Sequence, residues 1–146
     1  MIRAATAGDL DAIMAIETGT FANDAWSGDT MATELTHPQT HYLVDEEEEG
    51  VVGYAGLLAP RGSAQADVQT IAVNAGRRRE GRGRRLLEAL IAEARARGAR
   101  ELFLEVRADN PGARALYEEL GFELIGVRPN YYQPDGVDAE VMRAAL

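Results

Sequence analysis

The sequence predicts a single α/β domain over residues 1–146, with a mixed, mostly antiparallel central sheet flanked by about four helices. Three observations carry this prediction. Short β-branched and aromatic runs at 42–44, 51–58 and 66–73 follow one another closely, as in a meander of strands. Further on, segments with apolar residues three and four apart alternate with strand-like segments, as helices do when they cross between strands. No repeat, linker or low-complexity stretch marks a domain boundary.

Residues 2–4 read as an opening strand. Thr6 and Asp9 have capping-box spacing, and Leu10, Ile13, Met14, Ile16 and Glu17 hold a helical period to about Phe21. Ser27 caps a second helix through Leu35, which His37-Pro38 ends. Trp26, just before the cap, serves as a hydrophobic staple in preference to a ligand contact. Residues 42–44 and 51–58 form a hairpin whose acidic connection, 45–49, is expected to be a solvated turn.

Residues 66–73 make a third strand that leads into an arginine loop. Leu86, Leu87, Leu90, Ile91 and Ala94 mark one face of the next helix, closed by Gly98. In the strand at 102–106, Leu102, Leu104 and Val106 share one face and Phe103 and Glu105 the other. Asn110-Pro111 is an N-cap followed by an N1 proline, opening a helix that stops at Gly121. Strands at 122–127 and 137–142 close the sheet around a loop, 128–136, that carries Tyr131 and Tyr132.

Composition excludes several chemistries. A chain with 46% hydrophobic and 27% charged residues is that of a soluble globular protein, and its apolar runs fall short of the ~20 residues of a membrane span. The first residues lack a basic-then-apolar signal pattern, so a cytoplasmic location is expected. With no cysteine there is no disulfide, thiolate metal site or acyl-cysteine intermediate. His37 and His41 are the only histidines, and no metal is expected. All fifteen basic residues are arginine, and nine lie between Arg77 and Arg100, although the net charge is −9. Such an acidic body disfavours nucleic acid and attracts cationic partners.

The loop reads Arg78-Arg79-Glu80-Gly81-Arg82-Gly83, at the point where a strand gives way to a helix. Glycines there let backbone approach a ligand, and the unpaired N–H groups of a helix start favour phosphate. Six arginines between Arg77 and Arg85 are expected to repel one another unless an anion sits among them. A P-loop needs Lys-Ser or Lys-Thr after its last glycine, and a dinucleotide fingerprint needs glycine where Leu86 stands.

This loop follows Gln69-Thr70-Ile71-Ala72-Val73. It precedes Asn110-x-x-Ala113-x-x-Leu116-Tyr117-x-x-Leu120-Gly121-Phe122. The ordered pair resembles the GCN5-related N-acetyltransferases, which use acetyl-CoA. Phe21, Trp26-Ser27, Leu104 to Asn110, Asn130-Tyr131-Tyr132 and Asp138-Ala139 narrow the resemblance to the ribosomal-protein-alanine N-acetyltransferases. By that resemblance, Ile71, Ala72 and Val73 pair with the pantetheine arm. Arg78, Arg79, Glu80, Gly81, Arg82, Gly83 and Arg84 surround the pyrophosphate, and Asn110 and Tyr117 lie along the cofactor.

The resemblance also implies Glu105 as general base and Tyr117 as general acid. Trp26, Tyr131 and Tyr132 face the acceptor, a protein N-terminus, by resemblance the N-terminal alanine of the eighteenth small-subunit ribosomal protein. On the residues alone, Glu105 is equally a strand residue paired with Arg107, and Tyr117 a core-edge aromatic. A monomer or weak dimer is expected. An α-amine of pKa about 8 is roughly one-tenth neutral at pH 7, and a lysine amine under about 0.1%, so an α-amine needs only modest base help. Lysine side chains or small amines as acceptors, and an idle acetyl-CoA-binding domain, remain the alternatives.

Overall fold

The computed structural model describes residues 1–146. In chain order the elements are β1 (Ile2–Ala4), α1 (Leu10–Phe21), α2 (Gly28–Thr36), β2 (Thr40–Glu47), β3 (Gly50–Leu58) and β4 (Gln65–Val73). They continue with α3 (Arg82–Ala96), β5 (Glu101–Arg107), α4 (Pro111–Glu119), β6 (Glu123–Tyr132) and β7 (Val137–Ala145). Two of the four helices start at a polar residue that satisfies a free N–H group: Thr30 N–H donates to Ser27 Oγ at 3.1 Å at the start of α2, and Ala113 N–H to Asn110 Oδ1 at 3.2 Å at the start of α4. Caps of this kind stabilise a helix by about 1 kcal/mol each. The Thr6–Asp9 capping box, with Thr6 N–H donating to Asp9 Oδ2 at 2.8 Å, closes a 3-10 turn at Ala7–Asp9 that leads into α1, which has no side-chain cap of its own.

The strands form one sheet in the order β1-β2-β3-β4-β5-β7-β6, with β4–β5 its one parallel pair, spanned by α3. Alternation along the strands sends side chains to two layers. Leu43, Ala55, Leu57, Leu102, Leu104 and Met142 pack under α3 and α4, where Leu86, Leu87 and Leu90 are fully buried. On the opposite face, Tyr42, Val44 and Tyr54 pack against Ile13 and Ile16 of α1 and Met31 of α2, with Trp26 at the margin. Each buried leucine contributes about 1.5–3 kcal/mol relative to exposure, so an aspartate at Leu87 would break the α3 contact. No helix is long and apolar enough to cross a membrane.

Two expectations about local structure change. The acidic connection is not a solvated turn: β2 runs through Glu47, and Asp45 is only 2% exposed. Arg82 and the N-terminal ammonium hydrogen-bond this carboxylate, so an acid this close to the core is offset. The presumed loop at 128–136 is shorter, because β6 continues to Tyr132 and only the turn at 133–136 is left. The strand absorbs its proline and its left-handed Asn130 (φ 52°) through register irregularity between Arg128 and Tyr132, a device that alternation rules do not show.

The feature that positions the site is a split in the sheet. β4 and β5 pair only over Gln65–Glu101, Ala66–Leu102 and Asp67–Phe103, and then part. The cause lies in β4, where Val68 and Thr70 pair with consecutive residues Leu57 and Gly56, leaving Gln69 as an extra, bulged residue. Gly56 lets the Tyr42 ring cross β3 at this point; a Cβ there would lie 2.2 Å from Tyr42 Cζ. The Tyr42 hydroxyl donates to Gln69 Oε1 at 2.7 Å and holds the bulge.

Candidate active site

Beyond the split lies a cavity of about 800 Å³, walled by β4 from Val68 to Val73 on one side and by β5 from Leu104 to Arg107 on the other. Past Asp67 the β5-facing main-chain groups of β4 have no strand partner. One end of the cavity opens on the start of α3. Gly81 caps that helix at φ 76°, with no side-chain cap, and the first helical hydrogen bond runs from Arg85 N–H to Gly81 O. The N–H groups of Arg82, Gly83 and Arg84 therefore meet the cavity free, with the positive end of the helix dipole behind them.

A Cβ on Gly83 would stand 3.8 Å from Leu116 Cδ2 and 4.0 Å from Val73 Cγ2, so nothing in the chain itself demands glycine there. What its missing side chain leaves open is the cavity wall. Arg78 and Arg79 also line this end; Arg79 takes the left-handed conformation at φ 66°, and Arg78 Nε donates to Val73 O at 3.1 Å.

Three of the six arginines in the run are neutralised within the chain, which the expectation of mutual repulsion did not foresee. Arg82 is 8% exposed and is bound at 2.8 Å by each of Asp45, Glu47 and Glu80. Arg77 pairs with Glu49 and Glu80, and Arg84 with Glu119. The Arg82 guanidinium thus faces β2, and only its main chain is free for the cavity. Burial works to raise the Asp45 pKa, but the hydrogen bonds from Arg82 and the N-terminal ammonium prevail and hold it below the carboxylate range. Glu80 lies outside the cavity wall, engaged with Arg77 and Arg82.

Midway along the slot, Ile71, Ala72 and Val73 face Glu105, Asn110 and Tyr117. Glu105 is exposed on its strand, and its carboxylate partner is Arg128 at 3.4 Å, not Arg107. Tyr117 is 8% exposed, and burial alone pushes its phenol up to about 12, above the expected value near 10. Asn110 spends its side-chain oxygen on the helix cap.

The other end is formed by Trp26 and by Tyr132, which is half-buried, whereas Tyr131 is exposed and lines only a neighbouring cavity of about 550 Å³. The two rings meet edge-on at 5.1 Å. Sequence reasoning missed three residues at this end. Glu17, 2% exposed, accepts the Trp26 N–H at 2.9 Å and the Tyr54 hydroxyl. Its signal was an acid on the buried stripe of Ile13 and Ile16. Asp24 and Arg107 pair across 83 residues, a contact for which the sequence gave no local signal although Arg107 lies in the family-like stretch.

A bulged slot between parallel strands, with free helix N–H groups at one end and a carboxylate and phenol halfway, suits an extended, anionic ligand beside groups that can handle protons. The sequence profile of the acetyltransferase (GNAT) family matches residues 10–122, and the chain belongs to that family. Its members are acetyl-CoA-dependent N-acetyltransferases.

Among relatives, the N-alpha-acetyltransferase RimI of Mycobacterium tuberculosis is 37% identical over 145 residues, covering 97% of this chain and 90% of that protein. An uncharacterized Mycobacterium leprae protein is 39% identical over 94% of this chain, which spans 38% of its length. The crystal structure of the ribosomal-protein-S18-alanine N-acetyltransferase from Escherichia coli superposes with a TM-score of 0.88 at 35% identity, over 99% of this chain and 92% of that one. YncA from Salmonella typhimurium, solved with its cofactor acetyl-CoA, gives 0.84 at 26% identity, over 100% and 93%.

Proposed function

We propose that the protein transfers the acetyl group of acetyl-CoA to the N-terminal α-amine of a protein, by direct attack with both substrates bound. Its acceptor in this reading is the N-terminal alanine of ribosomal protein bS18, the substrate in the names of the Escherichia coli relatives. The observation that carries the reading is the placement of Glu105 and Tyr117 in the same slot as the unpaired β4 edge and the free N–H groups of α3.

The residues present fit acetyl-CoA. The main-chain N–H groups of Arg82, Gly83 and Arg84 and the side chains of Arg78 and Arg79 offer donors for a diphosphate. The β4 edge at Ile71, Ala72 and Val73 offers strand-type hydrogen bonds to an amide-containing arm, and a main-chain N–H near Val73 polarises a carbonyl. Acetyl-CoA supplies the activated acetyl thioester.

Glu105, open to the slot, takes up one ammonium proton of the acceptor, directly or through a water. The neutral amine then attacks the thioester carbon, the C–S bond breaks, and the second amine proton passes to solvent as the amide forms. Tyr117 stays protonated at every physiological pH. A phenol near 12 is about 3.5 units weaker as an acid than a thiol near 8.5, so complete transfer to a thiolate costs about 5 kcal/mol. Tyr117 therefore acts by donating a hydrogen bond to sulfur as charge develops, and the full proton follows from solvent.

The test is turnover of an Ala-starting bS18 peptide against the same peptide N-blocked and carrying lysine. The free N-terminus is expected to be acetylated and the blocked peptide left intact; acetylation confined to lysine removes this reading. The rate on the free peptide should climb about tenfold per pH unit to about pH 8 and then level, whereas a lysine acceptor would climb to about 10.4. Since Tyr117 is raised to about 12, its ionisation adds no falling limb below about pH 11.

A further inference from the structure

Two segments distant in sequence form the acceptor end of the slot. The α1–α2 connection turns at Ala22 with φ 47° and ψ −109°, a strained geometry for a non-glycine residue, and β6 passes through Asn130 with φ 52°, which asparagine tolerates. The Trp26 end of the first segment is fixed by Glu17. The Asp24 carboxylate has no hydrogen-bond or ion-pair partner on α1 or α2.

Arg107 is its partner. Its guanidinium, on a side chain 21% exposed, binds Asp24 of the α1–α2 connection and lies 3.0 Å from Asp135 of the β6–β7 turn. Asp109 takes Nε at 3.0 Å, and the cation sits 4.9 Å from the centre of the Tyr132 ring. No other hydrogen bond or ion pair joins the two segments. Three carboxylates surround one cation, so its loss leaves them to repel one another, whereas loss of one carboxylate leaves the cation still paired.

We propose that Arg107 is a positioning residue: a clasp that holds the α1–α2 connection and the β6–β7 turn together over the acceptor end and so sets how tightly the acceptor is bound. The inference rests on the proposed function only in calling this end the acceptor end. A planar fork that meets Asp24 and Asp135 on different nitrogens suits arginine and not lysine.

Trp26, the single tryptophan, lies two residues from Asp24 and reports on the clasp without any substrate. Arg107→Gln, Arg107→Lys and the pair Asp24→Asn with Asp135→Asn are compared by acrylamide quenching of Trp26 and by KM for each substrate, after circular dichroism establishes folding. In Arg107→Gln, quenching is expected to rise about twofold and the acceptor KM about tenfold, with the acetyl-CoA KM within about twofold of the parent. Arg107→Lys should fall between, and the asparagine pair should reproduce Arg107→Gln with the arginine still in place.

Unchanged quenching or an unchanged acceptor KM in folded variants overturns the clasp, as does an equal rise in both KM values. If Arg107→Gln does not fold, the asparagine pair decides by the same readouts. Quenching needs no acceptor, so a failure of the α-amine reading leaves that arm standing.

Discussion

The two ends of the slot are built from different parts of the polypeptide. The end proposed for the donor is main chain: a strand edge opened by the Gln69 bulge and three N–H groups at the mouth of α3. The end proposed for the acceptor is side chain: Arg107 with three aspartates, Glu17 beneath Trp26, and Tyr132. Main-chain recognition depends on where backbone runs and tolerates many side chains, provided none intrudes. Side-chain recognition fails when a single charge is lost. The donor end should therefore be damaged by adding atoms and the acceptor end by removing them.

The largest effect expected is at the middle of the slot. Glu105→Gln should lower kcat about 100-fold or more with little change in acetyl-CoA KM. Loss of acetyl-CoA binding instead would place Glu105 at the donor end. Arg82→Ala comes next, because it strips buried Asp45 of its partner; a melting temperature lower by about 10 °C is expected in calorimetry. A variant as stable as the parent would mean that Arg82 serves the ligand and not the fold.

Gly83→Ala then separates stability from binding. Alanine is the better helix residue by up to about 1 kcal/mol and meets no clash within the chain, yet its methyl enters the donor end. Titration should show acetyl-CoA bound about tenfold more weakly by a protein at least as stable. Unaltered affinity would break the main-chain account of that end. The smallest effect is Arg79→Ala, about threefold in acetyl-CoA KM with melting within about 2 °C, since its guanidinium takes no carboxylate partner.

The same division decides what the sequence could disclose. Backbone sites leave local marks, and the glycines at 81 and 83, the N-cap Asn110 with Pro111, and the alternation that turns Glu105 away from Leu104 and Val106 were all legible. So were the strands and helices, since caps and apolar periods are short-range. Illegible were contacts between distant segments. The arginine run looked self-repelling because Asp45 and Glu47, thirty-odd residues earlier, read as a turn. Arg107 looked like the partner of Glu105, but β6, one strand beyond β7, supplied Arg128, and Arg107 pairs with Asp24 instead. The fate of residues 128–132 depended on an irregular register that no period-two pattern encodes.

The Gln69 bulge has one more consequence. Unsatisfied strand edges usually sit at the rim of a sheet, where they invite a second copy of the protein to add on and aggregate. Here such an edge lies inside the sheet, with β5 still paired to β4 at one end of it, so a whole foreign sheet cannot add on. One misplaced residue in β4 thus creates a docking rail that only a slender, single-file molecule can use.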